Sequence, residues 1–161
     1  MNTTDCKPGE PGRALWRISG ELSIANRLWA KRPPAGSAKS LPDTRLVDRL
    51  PAATAASGCP VIANLSSKLG SIAGVTRFGA PSYAISKAAQ NMAGAQLAQA
   101  LAARGIVVLA LHPGWVQTDM GGEKAPDAPA DVVAGMLRLI DVATPAQSGG
   151  FFDWRGERLP W

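Results

Sequence analysis

One histidine, His112, and two cysteines, Cys6 and Cys59, are all the histidine and cysteine side chains in these 161 residues. A structural zinc site of Cys and His ligands needs four, so that class of protein is excluded. Two cysteines cannot build a disulfide scaffold either, and Cys59 reads as a small buried hydrophobe. Long apolar runs are also lacking. The longest charge-free stretch, 50–67, is broken by Pro51, Gly58, Pro60 and Asn64, so it is no membrane span. The residues after Met1, from Asn2 to Pro8, hold no apolar core of a signal peptide, and cytoplasm is the expected compartment. There is no internal repeat.

What is present describes an ordinary globular domain: 46% hydrophobic and 18% charged residues, enough to bury a core without staples. The formal net charge of +5 invites a nucleic-acid reading. Its distribution argues against one. Nine Lys/Arg oppose five Asp/Glu in residues 1–50, whereas the two signs nearly balance over 51–161. The excess is scattered (Arg13, Arg17, Arg27, Lys31, Arg32, Lys39) and forms no clustered footprint. Neither nucleic acid nor a membrane is expected as a partner.

The chain divides into two unlike parts. Residues 1–43 read as an irregular segment with five prolines, one short helix within 13–30 and a linker over 31–40. From Thr44 the signals become regular. A helix is expected over 44–57, with Gly58 as its stop. Val61 to Ser66 is a short apolar run and reads as a buried parallel strand. A glycine-interrupted loop covers 67–80, and Pro81 opens a long alanine-dense helix over 82–104, closed by Gly105. Ile106 to Leu111 is a second buried strand. A helix follows over 131–142, with Val132, Val133, Met136, Leu137 and Ile140 on one side, and then a short strand at 150–153. This alternation predicts an α/β fold with a parallel sheet covered by helices. It offers strand 61–66 no convincing partner for its outer edge, which would make that edge an aggregation hazard.

The informative spacing is Tyr83-x-x-x-Lys87. Residues four apart share a helix face, so phenol and ammonium can point into one site. A free phenol titrates near 10 and is a poor acid at neutral pH; a neighbouring ammonium favours the phenolate and brings proton transfer into range. The bare spacing by itself more often means a tyrosine packed at the helix start and a solvated lysine. Two strand ends supply context, Asn64-Leu65-Ser66-Ser67 and His112-Pro113-Gly114, because ligands of open parallel sheets bind at carboxyl ends of strands. His112 itself reads as a strand-end residue rather than a base. No GxSxG occurs, which removes a serine hydrolase.

Four stretches in order, VIANLSSKLGSI (61–72), PSYAISKAAQN (81–91), LALHPGWVQTDMGG (109–122) and SGGFFDWRGERLPW (148–161), resemble the short-chain dehydrogenase/reductase family, on the side of its C-factor-like carbonyl reductases. The resemblance spans 44–161. It implies a partial, doubly wound Rossmann-like sheet, the C-terminal part of that family's fold, and a catalytic portion over 44–161. It further implies an oxidoreductase that reduces a carbonyl or oxidises an alcohol with NAD or NADP, with NADP slightly favoured. By resemblance, Ser67, Tyr83 and Lys87 are the catalytic set, with Ser66 a competing choice for the serine. Lys87 and Tyr83, with Pro113, Gly114, Val116 and Thr118, would hold the nicotinamide end of the cofactor. No metal is implied. The alanine-rich face of 82–104 reads as helix packing or as a homo-oligomer interface.

The sequence departs from the family in its first third. No TGxxxGxG or GxGxxG occurs in the 161 residues, and Gly70-x-x-x-Gly74 follows the wrong strand. The family's NNAG turn is absent, and its catalytic asparagine would fall at Ala38. A second reading therefore stands beside the enzymatic one, a non-catalytic remnant acting as an interaction module.

Overall fold

A computed structural model describes residues 59–161 together with the backbone of the strand Arg17–Ser19. The helix expected over 44–57, the linker over 31–40 and the boundary at 43/44 lie outside the described residues. The elements are β1 (Arg17–Ser19), β2 (Val61–Leu65), α1 (Pro81–Leu101), β3 (Val107–His112), α2 (Pro129–Asp141) and β4 (Gly150–Asp153). All four strands are parallel in one sheet of order β1-β2-β3-β4.

Each middle strand pairs along its whole length. Val61 to Leu65 register with Val107 to Leu111, and Leu109 to His112 register with Gly150 to Asp153. The expected parallel neighbours are therefore present, with β3 shifted by one residue to include His112. One expectation is overturned. The outer edge of β2 is covered: Arg17 to Ser19 pair with Ile62 to Asn64, where one short helix within 13–30 and an open edge were expected. A three-residue extended stretch followed by Gly20 has no period to detect, and the unpaired backbone groups of a buried strand recruit it.

The strands alternate their side chains between two cores. Val61, Ala63, Val107, Leu109, Leu111 and Phe152 pack on one face with Val132, Met136 and Ile140 of α2, and Cys59 is buried among them. Val108 and Ile106 pack on the other face with Ala98 and Leu101 of α1. The sheet is thus covered by a helix on each side, the doubly wound arrangement. The buried stripe of α2 is narrower than expected, because Val133 and Leu137 are exposed. Gly135 lies instead against Trp154, just beyond β4: a Cβ there would stand 2.4 Å from the Trp154 carbonyl oxygen. No helix among the described residues is long and apolar enough to cross a membrane.

Candidate functional site

The carboxyl ends of β2 and β3 and the first turns of α1 come together at one end of the sheet. Beyond Leu65 the chain turns, and Ser66 keeps the pairing alive with a backbone bond to Leu111 (2.7 Å). Ser67 is buried and opens a 3-10 turn, Lys68–Gly70, whose Leu69 N–H donates to its hydroxyl oxygen (3.2 Å). This turn lies directly on α1. A Cβ at Gly70 would stand 2.7 Å from the Lys87 carbonyl carbon and 2.8 Å from its Cβ. Only glycine permits that approach, so Gly70 sets the distance between the serine turn and the lysine.

Proline at the first position starts α1, since its missing N–H is not needed there. Ala80 before it sits in the left-handed region at φ 43°. The buried stripe of the helix runs Lys87, Asn91, Gly94, Ala98, Leu101, a spacing of four, three, four and three. Lys87 therefore occupies the sheet-facing stripe and is only 8% exposed, not the solvated lysine that the bare spacing also allowed. Its ammonium donates to the Leu65 carbonyl (3.1 Å) and to Gln90 Oε1 (3.0 Å), and lies 5.8 Å from the Tyr83 ring centre. Burial lowers its pKa from the ordinary lysine value. Tyr83 is half-buried one turn earlier on the same face. Ser66 donates its hydroxyl to Asn91 Oδ1, and Asn91 Nδ2 reaches the Gly70 carbonyl (3.3 Å), so this serine ties β2 to α1.

The segment after β3 is held differently. Gly114 adopts φ +87°, and a Cβ on it would come within 2.4 Å of Asp127 Oδ2. Trp115 N–H donates to the same oxygen (3.3 Å), and Gln117 N–H donates to the Asp127 carbonyl (2.9 Å). Val116 and Asp127 form an isolated parallel bridge. Asp127 Oδ1 pairs with Arg155 Nη2 at 2.8 Å, and the Arg155 guanidinium lies 4.0 Å over the Trp154 ring. Asp153 accepts the N–H groups of Arg155 and Glu157. Thr118 is exposed, and its hydroxyl accepts from Gly121 N–H (3.2 Å). His112 is buried at the end of β3, as a strand-end residue. Burial and Lys68 push its pKa down, and Asp153 and Asp127 only partly oppose them.

Sequence reasoning missed Gln90, Asn91, Gly70, Asp127 and Arg155. Gln90 and Asn91 carried a signal, as the polar pair one turn beyond Lys87 in an alanine-dense helix. Asp127 carried none, because it lies thirteen residues from Gly114 across a loop.

An open parallel sheet with a buried Lys and a Tyr at its carboxyl edge defines the class of α/β proteins that bind ligands at strand ends. The comparisons make the class specific. Residues 52–129 match the family described as short chain dehydrogenase. The C-signal of Myxococcus xanthus is 49% identical over 100 residues, which cover 62% of this chain and 60% of that protein. The 1-hydroxy-2-glutathionyl-2-methyl-3-butene dehydrogenase of Rhodococcus sp. strain AD45 is 41% identical over 101 residues, covering 60% of this chain and 45% of it. Among solved structures, the carbonyl reductase Sniffer of D. melanogaster superposes with TM-score 0.62 at 36% identity, covering 73% of this chain and 46% of that one. The NADPH-bound carbonyl reductase from chicken fatty liver gives 0.60 at 37% identity, covering 66% and 44%. The chain is thus similar to short-chain dehydrogenases and carbonyl reductases, and it shares a C-terminal portion of their fold. It spans between about half and three-fifths of the length of these curated relatives.

Proposed function

We propose that the described residues form the catalytic portion of an NAD(P)-dependent oxidoreductase that reduces a small carbonyl compound or oxidises the corresponding alcohol. The observation that carries this reading is Lys87, a buried ammonium anchored on the end of β2 and set beside Tyr83. An ammonium is buried at a cost of several kcal/mol or more unless it is partnered, so its presence at a strand end argues for use. The donor set fits the nicotinamide end of the cofactor. Lys87 has three N–H donors and two named acceptors, which leaves one donor for a ribose hydroxyl. Pro113, Gly114, Val116 and Thr118 would hold the nicotinamide side, on a segment that Asp127 clasps. The described residues hold no glycine-rich turn for the pyrophosphate. NADPH in the chicken reductase favours NADP over NAD.

When bound, the nucleotide supplies or accepts a hydride at the substrate carbon. The chain's own residues handle the proton. Ser67 hydrogen-bonds the substrate oxygen and polarises it. Tyr83 delivers its phenolic proton to that oxygen during reduction and takes it back during oxidation. Lys87 stabilises the phenolate electrostatically. The test is titration of purified full-length chain with NADPH and NADH by fluorescence, followed by turnover with simple aldehydes. Saturable binding with steady NADPH oxidation supports the reading, and absence of both rejects it for this chain.

A second reading draws on the outer face of α1, where Ile85 and Met92 are 67% and 60% exposed, two turns apart. This face suits a second copy of the chain. It would serve either an enzyme dimer or a non-catalytic interaction module. Light scattering of Ile85→Glu against the parent chain separates them from a monomer: only a dimer through this face loses mass.

A further inference from the structure

We infer that Gln90 is a positioning residue for Lys87, whose amide holds the lysine ammonium on the carboxyl end of β2. The inference rests on the reading of Lys87 as a catalytic residue and extends it to a side chain one turn away.

Three hydrogen bonds close a triangle. Lys87 Nζ donates to the Leu65 carbonyl at 3.1 Å and to Gln90 Oε1 at 3.0 Å, while Gln90 Nε2 donates to that same carbonyl at 3.0 Å. The third bond matters most, because it settles which way the amide points. With Nε2 on the carbonyl, Oε1 must face the ammonium. Leu65 O thus accepts from both side chains, and neither can rotate without breaking two contacts.

The spacing makes this economical. Residues 87 and 90 are three apart on α1, so their side chains lie on one face and meet over the strand end. Lys87 is buried, and a buried ammonium needs acceptors to replace water. It forms no ion pair among the described residues, so its acceptors are the neutral Leu65 carbonyl from β2 and the Gln90 amide from its own helix. The only titratable ring beside it is Tyr83, at 5.8 Å. Gln90 therefore governs two properties of Lys87: where the ammonium sits relative to Tyr83, and how strongly it keeps its proton. A neutral amide holds the charge without neutralising it, leaving one N–H for an incoming hydroxyl. A carboxylate at 90 would bind the ammonium more tightly and compete with that use.

The experiment reads Lys87 in the full chain without cofactor. Competitive acetic anhydride labelling across the alkaline range, resolved by peptide mass spectrometry, gives a midpoint for Lys87, with exposed Lys124 as internal reference. Gln90→Glu should raise the Lys87 midpoint by about one pH unit, a tenfold slower labelling at fixed pH, as expected for an opposite charge at contact. Gln90→Leu should lower it, because an acceptor of the buried charge is gone. Midpoints equal to the parent's in both variants overturn the proposal. If the leucine variant does not fold, the glutamate variant decides alone. Failure of the parent chain to bind any nicotinamide nucleotide would reject the enzymatic reading while leaving the labelling shift in place, so the two failures are distinguishable.

Discussion

The two strand ends that frame the site are built by opposite means. At β2 the groups sit close in sequence and are joined through one helix: Tyr83, Lys87, Gln90 and Asn91 are successive positions of a face, and Gly70 lets the serine turn touch it. At β3 the segment 113–118 is held from across a loop. It is clasped by Asp127 and Arg155, brought from thirteen and about forty residues away. The first arrangement resists distortion because a helix carries it; the second depends on one carboxylate with several simultaneous partners.

The largest effect that tests this contrast is chemical. Tyr83→Phe should lower carbonyl turnover by about 10²–10⁴-fold, the usual contribution of a general acid, without altering the fold. Unchanged turnover in a steady-state NADPH assay would detach chemistry from the helix-borne half. Next come the two glycines. Gly70→Ala and Gly114→Ala should each destabilise by about 1–3 kcal/mol in urea titration, through overpacking against Lys87 in one case and against Asp127 in the other. Gly114→Ala is expected to be the costlier, since its φ of +87° also strains any side chain. Equal costs would show that the clasp yields where the helix does not.

Asp127→Ala removes the acceptor of Trp115 N–H and the partner of Arg155 together, and should cost about 1 kcal/mol, since both donors left without it are only partly buried. Hydrogen exchange should then rise at Trp115 and Gln117 and stay unchanged in α1. Protection lost equally in both regions would erase the distinction between them. The smallest effect is a slope with pH. His112 has its pKa depressed in the fold, so the unfolded chain binds its proton first as pH falls. Its stabilising contribution is complete above the ordinary histidine value of about 6.5 and is lost as pH falls from there through the lower folded pKa. His112→Asn should flatten the dependence of the urea midpoint between pH 7 and 5, and an unaltered slope would assign the acid sensitivity elsewhere.

Much of the β2 half was legible because its information is local. Apolar runs marked both central strands, Pro81 and Gly105 bracketed α1, and a four-residue spacing put Tyr83 and Lys87 on one face. The β3 half was legible only as a strand end followed by Pro-Gly. Nothing in the spacing of Asp127 and Arg155 announces a pair, since loop closure brings together residues that share no period. The same holds at the sheet's edge, where Arg17 to Ser19 pair with β2.

Periodicity and turn chemistry by themselves therefore determined the alternation of strands and helices, the parallel sheet and the shared face of Tyr83 and Lys87, because each depends on neighbours within a turn or a strand. Tertiary structure alone decided the burial of Lys87, its triangle with Leu65 and Gln90, the Asp127–Arg155 clasp and the covering of the β2 edge. These rest on backbone carbonyls, a missing Cβ and charges that meet only once the chain has closed on itself, and a single sequence records none of those distances.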